Sequence, residues 1–146
     1  MKKSIFLLFC LLLAMPASSS SDVYRQLQSI RSYINDDPAR ALSALDSLFQ
    51  SEQRTVNSEQ IIPSDAAHPS DHCSLFTDHP KSAALYALLR TQAEDKCFIT
   101  HTSDSLILIA FDYYARRGRN KELRALSQFY LGSVCRDLGD DFRAVE

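Results

Sequence analysis

The sequence predicts an all-α protein in which antiparallel helical hairpins stack on one another, interrupted by one polar loop insert. Three observations predict it. From Lys81 to Glu146 there is no proline, and apolar residues recur at helical spacing almost without a break. Asp37-Pro38 and His79-Pro80 each place proline at a first helical position, where its missing N–H costs nothing. The segments between apolar stripes are short and carry helix caps or stops, such as Asn120 and Gly139. The chain divides accordingly: residues 1–20 as an export signal, 21–50 as a first helical hairpin, 51–80 as the polar insert, and 81–146 as further helices, the last incomplete.

The opening MKKSIFLLFCLLLAMPASSS has the three parts of a secretory signal. Lys2 and Lys3 give the positive end, Ile5 to Met15 the apolar run, and Ala17 to Ser20 the small residues for cleavage near Ala17 or Ser19. An apolar run of about 11 residues is well short of the ~20 that cross a bilayer as a helix. Cys10 does not make a lipoprotein signal, because Phe9 precedes it and the apolar run continues beyond it. The chain is therefore expected to be exported.

Helix by helix, the spacing is specific. In DVYRQLQSIRSYIN, Val23, Leu27, Ile30 and Ile34 form one narrow stripe. Asp37 caps the next helix, whose buried side is Ala41, Leu45, Leu48 and Phe49. So tight a turn between them requires antiparallel packing. After the insert, His79-Pro80 opens a helix buried along Leu85, Leu88, Leu89 and Ala93. Ser103 caps the following one, with the stripe Leu106, Ala110, Phe111 and Tyr114. Arg116, Arg117 and then Gly118 are cations near the negative end of the dipole followed by a left-handed stop. Asn120 caps a helix carrying Leu123, Leu126, Tyr130, Val134 and Leu138, Gly139 ends it, and a last helix begins near Asp141.

Composition limits the function. The chain has 146 residues, enough for one domain with a sizeable core, and is 45% hydrophobic and 23% charged, which is globular rather than disordered. A formal net charge of -2 is the wrong sign for a dedicated nucleic-acid binder. Loss of Lys2 and Lys3 with the signal would leave 14 basic against 18 acidic residues, a charge of -4. The 3 glycines, Gly118, Gly132 and Gly139, are too scattered to build a phosphate-cradling loop. No catalytic constellation and no cofactor motif stands out, and no small-molecule substrate is implied.

Two clusters carry metal- or anion-binding residue types. His68, Asp71, His72, Cys73, Asp78 and His79 gather in the insert, but their spacing matches no common zinc site, and the prolines beside them favour a solvated loop. Arg116, Arg117, Arg119, Lys121 and Arg124 surround the turn at Gly118, where a solvated helix end completed by dipole effects is the simplest reading. Cys73, Cys97 and Cys135 would remain after signal removal, an odd number. A Cys97–Cys135 bridge is geometrically conceivable, but the expectation is buried free thiols acting as small apolar side chains. His101 has no cysteine paired with it in the sequence, so no activated nucleophile is expected.

The segment LGSVCRDLGDDFRAVE resembles the tetratricopeptide (TPR) repeat. Leu131-Gly132 matches the family's Leu-Gly pair, Gly139-Asp140 the turn, and Ala144 the small residue of the second helix. Cys135 stands where an aromatic is usual, and the turn aromatic has moved to Phe142. ARALSALDSL looks like the second helix of another repeat. First helices starting at Ser82 and Lys121 are about 39 residues apart against the family's ~34. The resemblance implies a groove lined by Phe129, Ser133 and Arg136, joined by Tyr86 and Arg90 from the preceding repeat, that takes an extended peptide or an amphipathic helix. The asparagines Asn35, Asn57 and Asn120 lie off the groove helices, so the family's carboxylate clamp is not expected.

The implied function is a non-catalytic exported module that binds a protein or peptide, in the periplasm or cell envelope. Together with the export signal, the pattern also looks like the N-terminal sensor part of bacterial membrane-bound transcriptional regulators or kinases, which is the alternative, with this chain as a truncated copy. A third reading, a small metal-binding envelope protein, rests on His68 to His79 alone.

Overall fold

The structure is a computed structural model, and it describes residues 20–59, 79–117 and 120–144. The export signal, most of the polar insert with His68, His72 and Cys73, and the turn residues Gly118 and Arg119 lie outside the described residues. Six helices follow in order: α1 (Ser20–Tyr33), α2 (Pro38–Glu59), α3 (Pro80–Lys96), α4 (Ser105–Arg117), α5 (Lys121–Asp137) and α6 (Asp141–Ala144). Among the described residues no strand occurs, as the all-α reading expects. No helix among them is long and apolar enough to cross a membrane.

The capping residues set the boundaries. The backbone N–H of Arg40 donates to Asp37 Oδ1 at 3.0 Å, and Pro38 opens α2. Asn120 Oδ1 accepts from the N–H groups of Glu122 and Leu123, satisfying two otherwise orphaned donors at the start of α5. Ser103 Oγ accepts from the Ser105 N–H at 3.2 Å, two residues before α4 begins. His79 precedes Pro80 without a side-chain cap, and its carbonyl accepts from Ser82 and Ala83. Helix α2 runs on to Glu59, beyond the Gln50 at which the apolar stripe fades. Helix propensity carries it: Glu52, Gln53 and Arg54 are good formers and no proline intervenes.

Each even-numbered helix lies against the odd-numbered helix before it and the one after it, while α1, α3 and α5 also touch in succession. The result is a two-layer array of hairpins. Its core takes Val23, Leu27, Ile30 and Ile34 from α1, and Ala41, Leu45 and Leu48 from α2, as the spacing predicts. Phe49 is half-buried and stacks on Tyr86 with ring centroids 6.0 Å apart. In α4 the buried stripe is Ile107, Ala110 and Tyr114, with Leu106 and Phe111 only half-buried. Leu138, expected in the core, is 41% exposed, because α5 has already ended at Asp137 and the chain turns away.

Helix α3 departs most from expectation. It is buried on every side: Ser82, Ala84, Tyr86, Ala87, Thr91 and Gln92 are covered as well as the predicted Leu85, Leu88, Leu89 and Ala93. It packs against α1, α2, α4 and α5, so no open face is left. Burying each leucine stabilises the fold by roughly 1.5–3 kcal/mol.

Both α3 and α5 end in a left-handed residue closed by the same pair of bonds. At α3, Phe98 N–H donates to Asp95 O and Ile99 N–H to Glu94 O; at α5, Gly139 N–H donates to Arg136 O and Asp140 N–H to Cys135 O. Gly139 has φ 75°, which glycine adopts freely, whereas Phe98 holds φ 58° with a bulky side chain.

Candidate functional site

The residues expected to line one groove separate into two places. Tyr86 is buried, stacked on Phe49, and burial pushes its hydroxyl pKa up to about 12. It is a core residue. Arg90 lies between α2 and α3, hydrogen-bonded to Asp46 and, at 2.6 Å, to Glu94. Burial works against its charge, but the bonds to Asp46 and Glu94 outweigh burial and raise the guanidinium pKa. This ion-pair cluster ties α2 to α3 and is not free to meet a ligand.

Phe129, Ser133 and Arg136 do come together. With Gln128, Gly132, Asp141 and Ala144 they line a pocket of about 560 Å³ on the outer side of α5 and α6. Phe129 is 66% exposed and meets Tyr130 edge to face at 5.1 Å. Ser133 is buried, donates to Asp95 of α3, and accepts from Arg136 Nη2 at 3.0 Å. Gly132 faces α6 so closely that a β-carbon there would lie 3.2 Å from the Ala144 carbonyl oxygen.

A second site was not foreseen. Between α1, α3 and α5 lies a cleft of about 450 Å³ bordered by Gln28, Arg31, Asn35, Gln92, Glu122 and Tyr130, with Ile34 and Leu126 as its apolar part. At its centre is Gln92, only 5% exposed, whose Nε2 donates to Asn35 Oδ1 at 3.1 Å. Tyr130 also hydrogen-bonds Gln92, while burial and nearby Asp95 raise the phenol pKa. Arg31 Nη2 meets Glu122 Oε1 at 2.6 Å across the rim, the arginine half-buried and the glutamate exposed. Asn35, set aside as a clamp residue because it lies off the groove helices, is brought over α3 by the Tyr33–Asp37 turn. Nothing local marked Gln92, which stands in sequence among the polar Arg90, Thr91, Glu94 and Asp95.

The α3–α4 turn is held by His101, which is 8% exposed. Its backbone N–H and Nδ1–H both donate to Asp137 Oδ2, at 3.1 and 2.8 Å, and hold that carboxyl below the usual carboxylate range. Nε2 is buried without a hydrogen bond, 3.8 Å from Glu94 Oε2. No hydroxyl or thiol is held for deprotonation by this imidazole, so the pair ties the turn to α5 rather than activating a nucleophile. Cys97 is half-buried and Cys135 buried, and both are free thiols. Arg116, Arg117, Lys121 and Arg124 are exposed. Among the described residues no cluster of three or more metal-ligating side chains forms.

Compared with protein-family models, curated proteins and solved structures, the chain matches none of them.

Proposed function

We propose that the chain is a non-catalytic, exported binding module that takes an extended stretch of protein or peptide in the cleft between α1, α3 and α5. The observation that carries this reading is the cleft's chemistry. Side-chain amides at Asn35 and Gln92 each offer a donor and an acceptor, the complement of a peptide backbone unit, on a floor fixed by helix packing. Arg31 and Glu122 at the rim select charged side chains, and Leu126 and Ile34 supply apolar contact. The contact of Gly132 with Ala144 and the layered packing of odd and even helices support the TPR resemblance behind the reading. The alternative, a sensor part of a membrane-bound regulator, uses the same binding step and adds an output segment.

Selection of a random peptide library against the chain tests this. Recovered peptides should lose binding to Asn35→Ala and Arg31→Ala, and keep it with Phe129→Asp. A library that returns no binder, or binders indifferent to both cleft substitutions, refutes it.

A further inference from the structure

Two arginines of the fold are covered to nearly the same degree and are served unequally. The Arg90 side chain is 20% exposed and the Arg31 side chain 23%. Taking a guanidinium out of water to that extent costs free energy unless carboxylates and hydrogen bonds replace the water. Arg90 has that replacement, because its Nε donates to Glu94 and its Nη1 to Asp46, two carboxylates on two helices. Arg31 has one ion partner among the described residues, Glu122, and meets it through Nη2 alone. Glu122 is itself 67% exposed and stands in the first turn of α5, where the helix dipole favours a carboxylate with or without Arg31. The planar fork of Arg31 could hold a carboxylate through two parallel N–H bonds, and it borders the cleft between α1, α3 and α5 with that capacity unspent.

The neighbouring groups are turned to the same purpose. Gln92, almost fully buried, donates through Nε2 to Asn35 Oδ1, so the Asn35 amide keeps its NH2 group for a ligand. Tyr130, hydrogen-bonded to Gln92, adds a hydroxyl at the floor. Against these donors the cleft sets a single carboxylate, that of Glu122.

From this we infer that the cleft selects an acidic stretch of peptide, in which an aspartate or glutamate side chain supplies the carboxylate that Arg31 lacks and Glu122 holds its place until then. Such selection presupposes peptide binding in this cleft and narrows the ligand class. Glu122 opposes the ligand twice, as the occupant of Nη2 and as a like charge beside the incoming carboxylate. Its neutralisation therefore tightens an acidic ligand, the reverse of what loss of an ordinary contact residue does.

Titration of two blocked tripeptides into the full chain, followed by NMR shifts, tests this. The probes are acetyl-Ala-Glu-Ala-amide and acetyl-Ala-Gln-Ala-amide, whose capped ends leave the glutamate side chain as the only carboxylate. The glutamate probe should move the signals of Arg31, Asn35 and Gln92. It should bind at least about ten-fold more tightly than the glutamine probe, the range of a hydrogen bond to a charged group. Arg31→Gln should abolish that preference. Glu122→Gln should tighten the glutamate probe by about three-fold and leave the glutamine probe unchanged. Being a change at an exposed position, it carries the test should Arg31→Gln fail to fold. Equal affinity for the two probes overturns the inference and leaves the cleft reading in place. Weaker binding of the glutamate probe by Glu122→Gln does the same. An absence of shifts at all three residues with either probe, up to about 20 mM, also overturns it, and the library selection then judges the cleft reading separately.

Discussion

The two ends of the array are built from the same kind of helical hairpin and present opposite surfaces. At the α1–α2 end Gln26, Ser29, Ser47 and Ser51 border a groove floored by Ile30, Ala44 and Leu48, with Ser43 exposed beside it. The hydroxyls of Ser43, Ser47 and Ser51 donate to carbonyls of their own helix, at 3.1, 2.9 and 2.7 Å, so this surface needs nothing further. At the α5–α6 end the exposed Phe129 stands among Gln128, Ser133, Arg136 and Asp141, with Gly132 and Ala144 half-buried between the helices. The contrast teaches that helical periodicity decides which residues form the core, while the chemistry of the off-stripe residues decides what each face presents.

The helix ends repeat the lesson. Gly139 and Phe98 close equivalent turns with equivalent hydrogen bonds, but only glycine does so without strain.

The contrast can be broken or sharpened by substitution. Leu85→Ala, at the centre of α3, should cost about 3 kcal/mol and lower the chemical denaturation midpoint markedly, since no neighbouring helix can fill the cavity. Gly132→Leu should cost about 1–3 kcal/mol by forcing α6 away from α5; an unchanged melting temperature would remove the Gly132–Ala144 contact from the account.

Asp137 gives a smaller, pH-dependent effect. Its carboxyl is held below the ordinary range, chiefly by the backbone N–H and ring of His101. Its stabilisation is therefore fully present above the unfolded value of about 4 and is lost as pH falls through the lower folded value. Asp137→Asn should reduce the acid sensitivity of thermal melting in that range; an identical acid limb would contradict the His101 tie. Smallest in size, and opposite in sign, Phe98→Gly should raise the fold's stability by about 0.5–1 kcal/mol, measured by thermal melting.

Much of the fold was legible in the sequence because it follows from spacing. Val23, Leu27, Ile30 and Ile34 are buried as a four-and-three stripe must be, and Asp37 and Asn120 cap where their side chains can reach the first N–H groups. The complete burial of α3 was not legible. From Ser82 to Leu89 its residues are small or apolar on every side, so the stripe of Leu85, Leu88 and Leu89 does not mark the only covered face, and only tertiary packing shows that four helices surround it. The same cause displaced Tyr86 and Arg90 from the expected groove: on a central helix every side meets a neighbour. Phe129, Ser133 and Arg136 line one pocket because they sit on one side of one helix, a matter of local geometry. The cleft escaped because its residues come from three helices distant in sequence, and nothing local joins Asn35 to Gln92 or Arg31 to Glu122.

The central claim is that α3 is the packed centre of the array, covered by α1, α2, α4 and α5. Native-state amide hydrogen exchange tests it most directly. Amides from Leu85 to Ala93 should exchange most slowly, near the rate set by global unfolding, and those of the short α6 fastest. Exchange in α3 as fast as in α6 would contradict the account.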